Sequence, residues 1–179
     1  MADVIDDAPV TTSKTARPAR ELVGVAVTIN RPARELYAFW RDLPNLAAFM
    51  ENVEQIETLD DRRSRWRVKA PAGESVEWEA EIIDDCPGES LTWRSVEGAD
   101  IDHSGKIAFI DAGARGTVVR AVIAYEPPAG FIGRIAAKLF QREPAIQARR
   151  DLRRFKQLME TGEIATAARN RAEFEKRGN

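Results

Sequence analysis

The sequence predicts an α+β fold: a curved antiparallel seven-stranded sheet wrapped around a long C-terminal helix, with two short helices after the first strand. Three observations predict it. Between Leu22 and Tyr125 the chain reads as short segments of alternating apolar and polar residues, separated by turns rich in Gly, Pro and Asp. Two of those segments mirror each other in charge, as paired strands do. Beyond Pro144 the alternation gives way to a helical period, with Ala148, Leu152, Phe155 and Met159 on one stripe. That stripe must be buried against something, and the strands upstream supply the surface.

The first strand spans 22–29, where Val23, Val25, Val27 and Ile29 alternate with Gly24, Ala26 and Thr28. Asn30 reads as a helix N-cap with Pro32 in the first turn. Ala33, Leu36, Tyr37 and Trp40 then make one apolar helix face. Leu43-Pro44 breaks that helix, and residues 45–50 read as a second short one carrying Leu46, Phe49 and Met50. Trp40 and Phe49 are either core packing or the groups with which this helix pair closes one end of a cavity.

A strand over 53–59 precedes the charge-mirrored pair. Over 65–70, Trp66, Val68 and Ala70 alternate with Arg65, Arg67 and Lys69; over 76–82, Val76, Trp78, Ala80 and Ile82 alternate with Glu77, Glu79 and Glu81. An antiparallel hairpin satisfies both patterns. Parity then puts Trp66 and Trp78 on the inner face and Arg67 opposite Glu77 or Glu79. The outer lattice is either a binding patch or, more simply, a solvated face in which each exposed ion pair contributes about 0.2–1 kcal/mol. Three more strands follow. Leu91, Trp93 and Ser95 share a face of the first, and Ile101, His103, Ile107 and Phe109 a face of the second. In the third, Thr117, Val119, Ala121, Ile123 and Tyr125 share the inner face, with Arg120 outside. Ile132, Ile135, Ala136, Leu139 and Phe140 recur at helical spacing before the main helix over 143–160, which Thr161-Gly162 ends. Residues 1–20 are polar and aperiodic and read as a disordered arm, residues 21–162 as one domain, and residues 163–179 as a loosely docked tail.

Composition narrows the function. The chain has 179 residues, a net charge of −2 and a sequence pI near 5.6, which argues against nucleic acid as the main partner. No apolar run approaches the roughly 20 residues that span a bilayer, and the N-terminal stretch lacks a basic-then-apolar leader pattern. A lone cysteine, Cys86, fits a reducing cytoplasm. With one histidine, His103, and one cysteine, a His/Cys metal site is poorly supplied. Cys86 beside a turn and His103 within a strand give no reason to pair. The Gly113 to Gly116 run lies between strands rather than before a helix, so it is no phosphate loop, and no Gly-x-Ser-x-Gly elbow is present. No cofactor or metal is expected. The basic face of the last helix, Arg149, Arg150, Arg153, Arg154 and Lys156, is either a contact for an anionic membrane surface or acidic carrier protein, or a solvated face paired with Glu143, Asp151 and Glu160.

Several stretches carry a resemblance. Val27-Thr28-Ile29-Asn30-Arg31-Pro32-Ala33 leads into Leu36-Tyr37-Ala38-Phe39-Trp40, then Asp42-Leu43-Pro44-Asn45-Leu46 and Phe49-Met50. Gly116-Thr117-Val118-Val119, Tyr125-Glu126-Pro127-Pro128-Ala129-Gly130 and Asp151-Leu152-Arg153-Arg154-Phe155-Lys156 follow in order. Over residues 23–164 this layout resembles the START-like, or helix-grip, superfamily of SRPBCC proteins, especially its bacterial polyketide cyclase/dehydrase and coenzyme Q-binding branch. The resemblance implies an apolar cavity between sheet and C-terminal helix for a lipid, quinone or polyketide, and hence a carrier or sensor of a hydrophobic small molecule. The alternative is a polyketide cyclase, aromatase or dehydratase working in the same cavity. In such a fold Trp66, Trp78 and Trp93 line the cavity or fill the core. The other candidates for its lining are Trp40, Phe49, Phe109, Tyr125, Ile135, Leu139, Leu152 and Phe155. Tyr125 and His103 are the inward polar groups that can orient a carbonyl or act as general acid and base, unless they only satisfy buried hydrogen bonds.

Overall fold

The computed structural model describes residues 11–14, 21–70, 73–99, 101–126 and 144–164. In chain order these form β1 (Thr11–Lys14), β2 (Glu21–Ile29), α1 (Ala33–Arg41), a 3₁₀ helix (Leu43–Ala48), β3 (Val53–Thr58), β4 (Arg63–Lys69), β5 (Ser75–Cys86), β6 (Ser90–Ser95), β7 (Asp102–Asp111), a 3₁₀ turn (Gly113–Arg115), β8 (Thr117–Glu126) and α2 (Pro144–Thr161). One sheet holds all the strands in the order β1-β2-β8-β7-β6-β5-β4-β3. Every neighbouring pair is antiparallel. From β3 to β8 each strand pairs with the next in sequence. β2 pairs with β8 instead, so α1 and the 3₁₀ helix carry the chain across to the far edge.

The seven strands read from the alternation are β2 to β8. The eighth, β1, falls within the stretch expected to be a disordered arm. Thr11-Thr12-Ser13-Lys14 pairs with Glu21 to Gly24. An edge strand can be held by main-chain hydrogen bonds alone, so its side chains need show no alternation. Asn30 is not the helix cap. That position belongs to Pro32, whose carbonyl accepts the Glu35 and Leu36 amides at 3.1 and 3.3 Å. The second short helix begins two residues earlier than its apolar residues suggest, because Pro44 is tolerated in a first turn. The helical spacing at 132–140, with Ile135 and Leu139, lies outside the described residues, as does the greater part of both tails.

The hairpin register resolves the sequence alternatives. Trp66 sits opposite Trp78, and Arg63, Arg65 and Arg67 sit opposite Glu81, Glu79 and Glu77. The two indoles stack 6.2 Å apart at 12°. Outside, Arg65 bonds Glu79 at 2.9 Å, Arg67 bonds Glu77 at 2.5 Å and Arg94 bonds Glu81 at 2.7 Å.

On the inner side, α2 packs against β2 and buries Leu152 and Phe155. Phe155 closes on Phe49 at 4.8 Å and Trp40 at 5.2 Å, joining α2 to α1 and the 3₁₀ helix in one aromatic core. The last turn of α2 is capped from a distance. Arg31 Nε donates to Met159 O at 2.9 Å and Arg31 Nη2 to Glu160 O at 3.2 Å. A cation placed on these free carbonyls also opposes the negative end of the helix dipole. The Asn30 amide donates to Glu160 Oε1 and Lys156 Nζ to Thr28 O, both at 2.7 Å. Arg150 and Arg154 lie 3.9 and 3.7 Å from Glu51, so much of the basic face is engaged within the molecule.

Asp151 links α2 to the loop before β3. Its Oδ1 accepts the Glu51 amide at 3.3 Å and Gln147 Nε2 at 2.9 Å. Burial pushes its carboxyl up to about 6, more than those two hydrogen bonds and the Arg154 charge restore. A folded-state value above the ordinary 3.8 means that its contribution to stability is complete below that pH and is lost as pH rises through about 6. Asp151→Asn keeps an acceptor oxygen and removes the charge. It should raise stability by about 1 kcal/mol at pH 8 and change it little at pH 4, as measured by thermal unfolding at the two pH values. A variant that is less stable at pH 8 would show that the carboxylate is needed as an ion.

Candidate functional site

The inner face of four adjacent strands carries a row of rings: Trp66 on β4, Trp78 on β5, Trp93 on β6 and His103 on β7. Period-2 alternation puts the indoles there, and Trp66 and Trp78 are 7% and 8% exposed. His103 lies 5.9 Å from Trp78 and 6.3 Å from Trp93, ring to ring. Its backbone amide is held by Ser95 Oγ at 3.0 Å. Gly105 lies directly across from Trp93 and is part of the design. A Cβ at 105 would fall 2.7 Å from Trp93 Cε2, so the missing side chain is what lets the indole lie flat on β7.

Three hydrogen-bonding states distinguish the indoles. Trp66 Nε1 is spent on buried Ser64 Oγ at 3.0 Å. Trp93 Nε1 donates to His103 Nδ1 at 3.4 Å, which puts the imidazole proton on Nε2. Trp78 Nε1 is buried and has no partner among the described residues. Burial, opposed by the negative charge of Asp102, brings His103 down to about 4, so it is neutral at physiological pH. Among the described residues, this end of the sheet therefore offers an indole N–H without a partner beside a neutral imidazole, on an aromatic wall.

The remaining expected residues divide. Trp40, Phe49, Phe109, Leu152 and Phe155 gather in the aromatic core, with Trp40 to Phe49 at 5.3 Å and Trp40 to Phe109 at 6.4 Å. Between that core and the indole row a gap of about 20 Å³ is bounded by Trp40, Leu46, Ser64, Trp66 and Leu91, room for about one water. The main chain of Tyr125 pairs with His103, while its side chain lies outside the described residues.

One feature escaped the sequence reading. A cleft of about 450 Å³ opens between α1, the β3–β4 turn and β5, lined in part by Tyr37, Arg41, Leu43, Asp61, Arg62 and Ile82. Its wall depends on a β-bulge. The register slips between Ile82 and Asp84, so Ile83 is turned out to 45% exposure and Asp85 pairs with buried Leu91. Simple alternation from Glu77, Glu79 and Glu81 would point Asp85 outward. The slip aims it under α1 instead, where Tyr37 Oη donates to Asp85 Oδ1 and Arg41 Nε donates to Oδ2 at 2.8 Å. Burial and the neighbouring carboxylate push Tyr37 up to about 12. Against the cost of burial, the Tyr37 and Arg41 hydrogen bonds hold Asp85 below the usual carboxylate range. The signal available in the sequence was the Ile82-Ile83 doublet, an apolar pair that breaks the period.

Residues 29–153 match the family described as polyketide cyclase / dehydrase and lipid transport. The chain belongs to that family. Its members share the START-like, helix-grip fold expected from the sequence, and the wide antiparallel sheet around α2 is that fold. The family's range places this chain among proteins that bind hydrophobic ligands or cyclise polyketides. The chain is similar to the Deinococcus radiodurans protein DR_A0006, at 46% identity over 79% of this chain and 99% of that one, with a TM-score of 0.64. It is 27% identical over 136 residues to a 17.2 kDa protein of Streptomyces lincolnensis, covering 75% of this chain and 87% of that one. The Zhui aromatase/cyclase of a Streptomyces strain, at 18% identity and a TM-score of 0.60 over 82% of this chain and 99% of its own, shares the fold. Among the described residues of this family member, no helix is long and apolar enough to cross a membrane.

Proposed function

We propose that the chain is a carrier or sensor of a hydrophobic small molecule, which it holds against the indole row with a carbonyl or hydroxyl oxygen on Trp78 Nε1. The observation that carries this reading is the buried Trp78 N–H, without a partner among the described residues, next to a neutral imidazole whose Nε2 is the protonated nitrogen. A lipid, quinone or polyketide supplies the missing acceptor and the apolar bulk. The value of about 4 at His103 favours binding over proton transfer, since a shuttle works best near the operating pH.

The test is calorimetric titration with 1,4-naphthoquinone, together with native mass spectrometry of the gently purified protein. Trp78→Phe keeps an aromatic ring and removes the donor, together with part of the indole's buried apolar surface. It should weaken quinone binding about tenfold, the loss expected for one buried hydrogen bond. If quinones, lipids and polyphenols all fail to bind the wild-type chain, the reading is wrong.

The second reading, a polyketide cyclase, aromatase or dehydratase, draws on the register that sets His103 across from Tyr125 on neighbouring strands. Under it, Tyr125→Phe or His103→Ala abolishes turnover of a poly-β-ketone without loss of fold. An unchanged product distribution in both variants counts against it.

A further inference from the structure

We infer that the cleft between α1 and the β3–β4 turn is a second ligand site, separate from the indole row, for a small organic acid: a carboxylate or phosphate held by Arg62, with an apolar body against Leu43 and Ile82. The volume of about 450 Å³ suits a ligand of one or two fused rings. The acids around it are mostly committed. Asp85 takes Tyr37 and Arg41, and Asp42 takes Asn45 Nδ2 at 3.2 Å. Asp60 takes Arg63 Nε at 2.7 Å and the Arg62 and Arg63 amides at 2.9 and 2.8 Å, which bring its carboxyl down to about 2. Such saturated carboxylates offer little to a bound cation.

The cations are less committed. Arg41 spends Nε on Asp85 and Nη2 on the Asp61 carbonyl at 2.7 Å, which leaves Nη1. Arg62 is anchored by Nη1 on the Ile82 carbonyl at 3.3 Å; it makes no direct ion pair among the described residues, although its charge is felt at Asp85. A carbonyl fixes a guanidinium in place without neutralising it, and the planar fork that remains matches a carboxylate or phosphate. Among the described residues, the Asp61 carboxylate is the one opposing charge on the rim that no hydrogen bond occupies. The floor is apolar, and Leu43 and Ile82 also border the small inner gap, so they form the wall between the two sites.

The experiment compares 2-naphthoate, 2-naphthyl phosphate, neutral 2-naphthol and inorganic phosphate by calorimetry. NMR of the Ala38 and Leu43 methyls reports the cleft, and the Trp78 indole N–H reports the inner wall. The naphthyl acids should bind at least tenfold more tightly than 2-naphthol and shift the cleft methyls in both wild type and Trp78→Phe. Arg62→Gln, on an exposed turn, should cost about tenfold in acid binding, and Asp61→Asn should strengthen it severalfold. Equal affinity for 2-naphthol, indifference to Arg62→Gln, shifts confined to the Trp78 indole, or no binding of any naphthyl probe would each overturn the assignment. Inorganic phosphate reproducing the Arg62-dependent shifts at the same concentration would make the cleft a free-anion site and overturn the organic body. None of these outcomes depends on quinone binding at the indole row, so the two readings stand or fall separately.

Discussion

Phe155→Ala is expected to destabilise the protein by about 3–5 kcal/mol, the range for removing a fully buried phenylalanine. Phe155 is fully buried, and its ring touches Phe39, Phe49 and Trp40 at 5.8, 4.8 and 5.2 Å. Those three rings belong to α1 and the chain just beyond it, so one side chain holds the C-terminal helix to the element that closes the sheet. Alanine leaves a cavity walled by aromatic rings, which are too stiff to collapse into it. The polar anchors at the end of α2 do not fill that cavity, because Arg31 and Lys156 bond to the main-chain carbonyls of Met159 and Thr28. Urea unfolding gives the magnitude, and hydrogen exchange along α2 gives the location. A loss below about 1 kcal/mol would mean that the helix is held mainly by its capping bonds.

The parts of this architecture that were legible in the sequence are those in which side chains repeat. The Arg and Glu alternation of β4 and β5 could be satisfied by only one sort of pairing, and it brought Trp66 against Trp78. The stripe from Ala148 to Met159 likewise announced a buried helix face. What stayed hidden depends on the backbone or on distant partners. β1 is held by main-chain bonds between polar residues, which leave no periodic trace. The bulge at Ile83 reverses the parity of everything after it, so alternation continued from Glu81 puts Asp85 outside although it sits beneath α1. Tyr37 and Arg41 are one helical turn apart and could be read as neighbours, but nothing near them in sequence names Asp85 as their common acceptor. His103 was visible as an inward polar residue. Its tautomer and its neutral state were not, because both come from Trp93 and from burial on another strand.

Gly116→Ala should cost about 2–4 kcal/mol, from two effects that a paired variant separates. The first is conformational. Gly116 has φ of +91°, a region that side chains with a Cβ rarely adopt. The second is steric. A Cβ there would lie 2.7 Å from Asn30 Cα and 2.8 Å from Arg31 N, against main chain that has little freedom to yield. Thr117 Oγ1 donates to Arg31 O at 2.7 Å, and Arg31 is itself fixed on the carbonyls of Met159 and Glu160. Displacing the Asn30–Arg31 link therefore also loosens the cap on α2, so the damage should reach the helix end as well as the turn. Gly113 supplies the comparison. It has φ of +60° and open space where a Cβ would go, so Gly113→Ala carries strain alone, about 1 kcal/mol. Urea unfolding of the two variants should therefore differ by at least 1 kcal/mol, with faster hydrogen exchange at the last turn of α2 in Gly116→Ala only. Equal losses would show that the Asn30–Arg31 link yields easily and that Arg31 does not transmit the turn's position to the helix.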